Sequence, residues 1–304
     1  MGRPLSPRTQ PTMSVLPVPD TTTRNNGSSA EAEAFHNFFE SWLVEQNRYL
    51  EDLIYASKRY QDNSAPESTQ DAELRPLVQR VVGHYEYYYR SKSRWAKSDV
   101  LVMLSPSWRS SLEEAFSWIG GWRPSMAFHL LYSKSGLQLE PKLGDLIRGM
   151  SSGDLGDLSA SQMTQVNELQ RKTIKEEKDI TEKFAKHQET VADTSMVELS
   201  HVVSEMMMND GDVSHELEEG RVESTLTPKE EGLEEILHKA DDLRLRTLKG
   251  IIDILTSIQA VHFLIAAAEL HLRLHDWGKQ IDARRSRGAE GTSVTDADKK
   301  IMGF

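Results

Sequence analysis

A chain of 304 residues is longer than one small core needs and suits a single large domain with tails. Hydrophobic residues make up 38%, mean hydropathy is −0.53, and the longest apolar stretch, around Ile265 to Leu270, falls far short of the roughly 20 residues a membrane span needs, so a soluble, non-membrane chain is expected. The absence of cysteine excludes disulfides, thiolate zinc sites and a cysteine nucleophile, and a net charge of −11 argues against gripping nucleic acid by bulk electrostatics.

Residues 1–34 are rich in Pro, Thr, Ser and Asn without apolar period and predict a disordered tail lacking a secretion signal. Within it, Met1-Gly2-Arg3-Pro4-Leu5-Ser6 reads as a chance match to the myristoylation pattern, and Asn26-Gly27-Ser28 is a sequon with no secretory context. Phe35, Phe38, Phe39, Trp42, Leu43, Tyr49, Leu50, Leu53 and Ile54 recur in threes and fours and predict a helix over 35–60, broken at Asn63-Ser64-Ala65-Pro66. A second helix is predicted from Leu74 to about Lys97, with Pro106 interrupting after Met103-Leu104. Ser111-Leu112-Glu113-Glu114 reads as a capping box opening a short helix that Gly120-Gly121 stops; Pro124 suits the first turn of the next, which Gly136 ends.

Ser151 to Asp157 reads as a linker, and Ser159-Ala160-Ser161-Gln162 as a second capping box before a long helix striped by Met163, Val166, Leu169, Thr173, Ile180, Phe184, Val191, Leu199, Val202 and Met206. Asn209-Asp210-Gly211 ends it, a mobile acidic loop runs to Arg221, and Thr227-Pro228-Lys229-Glu230 forms a third box. The helix after it carries Leu233, Ile236, Ala240, Leu243, Leu248, Ile251 and Leu255. Ser257 caps a last one bearing Ala260, Phe263, Leu264, Ala267, Leu270, Leu274 and Trp277, which Gly278 ends or kinks before a flexible tail at 281–304. With no alternating strand pattern and no repeat, the prediction is all-α: a multi-helix bundle with several long helices over 35–280.

Catalytic motifs are missing: no glycine-rich phosphate loop, no G-x-S-x-G, no H-E-x-x-H and no calcium loop occurs, so no enzyme is expected. Three strings stand out. His271 and His275, four apart on the last helix, emerge on one face; the pair suits a first-row metal, or one of them a haem iron shielded by Leu270, Leu274 and Trp277, although ordinary histidines fit the spacing equally. His262 and Asp276 are further candidates there. Trp118-Ile119-Gly120-Gly121-Trp122-Arg123-Pro124-Ser125 predicts a tight corner between helices, with Arg123 facing a carboxylate or a ligand. The run from His84 to Lys97 interleaves basic and aromatic residues, a composition suited to single-stranded nucleic acid, anionic lipid or calmodulin, or simply to a core helix with a solvated basic face.

His84-Tyr85-Glu86, Lys97-Ser98-Asp99-Val100, Trp118 to Ser125 and Ala240-Asp241-Asp242-Leu243-Arg244-Leu245-Arg246-Thr247-Leu248 together resemble the Delay of Germination domain of plants, over roughly Phe35 to Lys279. The same domain forms the C-terminal half of TGA-type leucine-zipper transcription factors. Residues 1–34 carry neither their basic region nor their leucine heptads, so the chain resembles the stand-alone members. The resemblance implies a regulator of seed dormancy, germination timing and abscisic-acid response. It implies action in the nucleus or cytoplasm through protein partners, with protein phosphatases of the abscisic-acid pathway foremost, and self-association as a homodimer. It also implies a link to haem through Leu-His-x-x-x-His-x-Trp-Gly, which Leu270 to Gly278 reproduces with His271 and His275. The alternative is a transcription regulator reaching DNA directly or through a zipper partner, with Arg284-Arg285-Ser286-Arg287 as a nuclear signal.

Overall fold

The computed structural model describes residues 27–62, 67–135, 158–208 and 215–301. The described residues form nine α-helices and no sheet: α1 (Gly27–Asp62), α2 (Glu67–Ala96), α3 (Val100–Leu104), α4 (Ser111–Ala115), α5 (Met126–Lys134), α6 (Ala160–Glu189), α7 (Thr194–Met208), α8 (His215–Ile254) and α9 (Ser257–Ile301). The all-α bundle read from periodicity is the fold observed, and its longest helix has 45 residues. Among the described residues, no helix is long and apolar enough to cross a membrane.

The apolar stripes decide the packing. Phe35, Phe38, Phe39, Trp42, Leu43, Leu50 and Leu53 of α1 are all buried against α2 and α9. The α9 helix also lies against α4 and α5, while α6 pairs lengthwise with α8, burying Val166 and Ile180. One core results, because α2 touches α1, α8 and α9 at once. Each fully buried side chain such as Leu53, Phe128 or Ile236 contributes about 1.5–3 kcal/mol.

Several boundaries differ from the sequence reading, each for a local reason. The first capping box is centred on Ser110, whose hydroxyl accepts from the Glu113 N–H while the Glu113 carboxylate accepts from the Ser110 N–H. The last helix is capped by Thr256, one residue before Ser257, in a reciprocal pair with Gln259. The box at Ser159 is where it was expected. The single long helix expected through Val191 breaks at Thr190–Ala192, because Asp193 caps a new one by accepting from Met196 N–H at 3.1 Å; Val191 is exposed.

The expected loop before Thr227 is helical from His215, and Pro228 lies inside α8. An interior proline costs about 3 kcal/mol. Tertiary contacts at the next residue fix the chain there: the Lys229 ammonium donates to Thr190 O (2.8 Å) and Asp193 (2.7 Å), and its carbonyl meets His187 Nε2 at 2.7 Å. Pro76 is likewise interior to α2, which starts at Glu67 rather than Leu74. Gly278 does not end α9. It sits where α9 presses on α4, so closely that a Cβ would lie 1.9 Å from Ser110 Oγ. Trp277, expected on the buried face, is exposed. The breaks at Asn63 to Pro66, Gly136 and Asn209 to Gly211, the linker at Ser151 to Asp157 and the N-terminal motifs through Asn26 lie outside the described residues.

Candidate functional site

Two arrangements concentrate the unusual chemistry. The first is the corner between α4 and α5. Trp118 and Gly121 pair across a two-residue turn, the Trp118 N–H donating to Gly121 O at 2.7 Å and the Gly121 N–H to Trp118 O at 3.2 Å. Both central residues have positive φ, 44° at Ile119 and 66° at Gly120. Glycine tolerates this; a β-branched isoleucine does not unless its surroundings impose it.

Those surroundings are three cations. The Arg244 guanidinium, fully buried on α8, donates to the carbonyls of Ile119 (2.8 Å), Trp122 (2.7 Å) and Trp118, and to Asp241. It also stacks 5.2 Å from the Trp118 ring centre. The Lys92 ammonium of α2 donates to Gly120 O at 2.7 Å and lies 3.0 Å from the Asp241 carboxylate. Arg109 adds a bond to Gly120 O at 2.7 Å. Burial pushes the Lys92 ammonium down to about 7 although Asp241 opposes the shift. On the outer side, the Arg123 Nε donates to Glu177 at 2.6 Å, Trp122 Nε1 to the Tyr89 hydroxyl at 2.7 Å and Trp118 Nε1 to Thr181 at 3.0 Å. Pro124 is buried beside them, and the following Ser125 N–H donates to Glu177 at 2.9 Å. The carboxylate that Arg123 faces is Glu177.

The second arrangement surrounds the histidine pair. Glu113, already holding the start of α4, accepts from His275 Nδ1 at 3.0 Å. Burial would raise the Glu113 carboxyl, but the bonds from His275 and from the Ser110 hydroxyl and N–H hold it down to about 2. His275 Nε2 is buried and has no hydrogen-bond partner; the Glu40 carboxylate is 4.0 Å away. His271 lies one turn before it on α9. Its ring lies 5.5 Å from Trp42, and Trp42 stacks on His84 at 4.7 Å with an interplanar angle of 1°. Both nitrogens of buried His84 are unpartnered. Burial pushes His84 and His271 down to about 4, so both rings are neutral at pH 7.

The donor chemistry of His275 suits an iron: one nitrogen oriented by a carboxylate, the other free. The space around it does not suit a porphyrin, because the Phe39 ring sits 5.7 Å from the imidazole and α1 packs directly over it. Asp276 points away into an ion pair with Arg273, and among the described residues no group of three or more His, Asp or Glu is arranged to hold a metal.

Part of the chain matches a known family. A family model described as DOG1, seed dormancy control, covers residues 57–133, from the end of α1 through the corner to α5. Protein DOG1-like 3 of Arabidopsis thaliana is 31% identical over 281 residues, spanning 87% of this chain and 94% of that protein. The chain belongs to the DOG1-like family. Protein DOG1-like 4 of the same plant is 33% identical over 82% of this chain and 93% of its own length. Transcription factor TGA5 is 29% identical over 80% of this chain but only 63% of its own length. DOG1-like proteins are regulators rather than enzymes.

Sequence reasoning missed Lys92, Asp241, Arg244, Glu113, Glu177 and Arg109 as partners of the corner and the histidines. One signal was available: Asp241 and Arg244 interrupt the apolar face of Ile236, Ala240, Leu243 and Leu248, and charges on a buried stripe must be paired.

Proposed function

We propose that this DOG1-like chain regulates seed dormancy and germination by binding other proteins, with protein phosphatases of the abscisic-acid pathway as its partners. The observation that carries this reading is identity over nearly the whole length of DOG1-like 3. A further relative, Protein RESPONSE TO ABA AND SALT 1 of Arabidopsis thaliana, is 24% identical over 82% of this chain. Action in the nucleus and cytoplasm and self-association as a homodimer belong to the same reading; exposed Arg284, Arg285 and Arg287 support the first, and exposed Ile174, Val191 and Val197 on the α6–α7 arm the second. Size-exclusion chromatography with light scattering of the chain mixed with such a phosphatase tests it. A joint peak is expected, and separate peaks at micromolar concentrations contradict it.

Haem is a second reading, carried by the free Nε2 of His275. His275 alone is the ligand in this reading, because His271 faces Trp42, and α1 must move off α9 to admit the group. Haemin titration is expected to give a saturable Soret shift that His275→Ala abolishes and His271→Ala keeps. A shift that His275→Ala retains, or none, overturns it.

A further inference from the structure

A groove between α2 and α8 lies beside the corner and shares Tyr89 and Asp241 with it. It encloses about 450 Å³, and its rim carries Arg90, Arg94, Lys97 and His238. Every carboxylate lining it is engaged: Glu86 with Lys249, Asp242 with Arg246, and Asp241 with Lys92 and Arg244. Arg90, Arg94 and Lys97 have no ion-pair partner among the described residues, although the chain carries a net charge of −11. Arg90 and Arg94 lie one turn apart at the end of α2 and Lys97 follows in the turn after it, so all three line the same groove.

We propose that this groove binds a phosphoserine or phosphothreonine in a segment of a partner protein. The proposal rests on the reading of the chain as a partner-binding regulator and specifies one class of partner. Three unpaired cations exceed what a single carboxylate neutralises, whereas a phosphate dianion accepts from two guanidinium forks and an ammonium together. The chemistry disfavours nucleic acid: among the described residues of this stretch, Tyr85 is bonded to Gln46, Tyr89 to Trp122, and Trp95 packs 6.0 Å from Phe35, so these rings are already engaged within the fold. It disfavours a lipid surface as well, because the cations line a concave groove on an acidic protein.

Fluorescence anisotropy with the full chain tests this. The probes are a labelled Gly/Ala peptide carrying one phosphoserine, its serine counterpart, a mixed-sequence single-stranded oligonucleotide, and phosphatidylserine-containing vesicles. Saturable binding of the phosphopeptide is expected, at least tenfold weaker for the serine peptide and competed by inorganic phosphate. Arg90→Ala/Arg94→Ala is expected to lose at least tenfold while keeping the wild-type melting temperature, since both side chains are exposed and unpaired. Arg171→Ala/Lys172→Ala, which removes two exposed cations from α6, is expected to bind as wild type. Equal binding of the two peptides, equal loss in both variants, no binding of the phosphopeptide, or oligonucleotide or vesicle binding that alone depends on Arg90 and Arg94 overturns the proposal. If the phosphatase complex forms while the groove fails these tests, the groove assignment falls and the partner-binding reading stands.

Discussion

Arg244→Met is expected to destabilise the protein by about 3–5 kcal/mol, because it strips the buried Asp241 of one of its two cations and leaves the carbonyls of Trp118, Ile119 and Trp122 without their donor. Lysine does not rescue it: a single ammonium cannot span carbonyls on both sides of the turn as a planar guanidinium does. Arg244→Met/Asp241→Asn is expected to cost less than the sum of its single changes, since the orphaned carboxylate is neutralised along with its partner. Urea titration read by circular dichroism gives the stabilities, and tryptophan fluorescence reports whether Trp118 and Trp122 loosen first. A loss below about 1 kcal/mol for Arg244→Met would mean that the corner is held by packing and not by this network.

Acidification produces the second large effect. His84 and His271 titrate near 4 in the folded chain, against 6.5 for a free imidazole. A lowered histidine favours the fold when neutral, so its contribution is complete above pH 6.5. It is lost as pH falls toward 4, where the unfolded chain takes up protons that the folded chain refuses. A shift of this size is worth up to about 3 kcal/mol per group. Glu113, held near 2 against a usual 4.5, loses its contribution in the window below, from pH 4.5 downward. Stability is therefore expected to fall steeply as pH drops from 6.5 to 4, while Lys92, lowered to about 7, makes it rise with pH above 7. His84→Phe keeps the stack on Trp42, removes two unpartnered buried nitrogens, and is expected to reduce that slope by about half while raising stability at pH 5. An unchanged slope in the variant would show that His84 is solvated in the native state.

The architecture was legible because it follows from period. The stripe from Phe35 to Leu53 names the face of α1 that is buried, and Ser159 marks the start of α6. Boundaries misread local signals that distant contacts outweigh. Pro228 looks like a helix start until Lys229 and His187 are seen to tie that turn to the end of α6, and Gly278 looks like a stop until Ser110 is found pressed against it. Trp118 to Pro124 announced a corner by composition, but the partners that hold it come from α2, α6 and α8, and no spacing within the string foretells Lys92, Glu177 or Arg244. The histidine pair is similar: spacing put His271 and His275 on one face, but it could not name Trp42 beside one ring or Glu113 bonded to the other.

Germination of freshly harvested Arabidopsis thaliana seeds that express this chain under a seed-specific promoter measures the central claim most directly. Delayed germination is expected with the wild-type chain, and none with Arg244→Met once protein levels are matched. Seeds that germinate on the control schedule while accumulating the folded wild-type chain would contradict the assignment of this protein as a dormancy regulator.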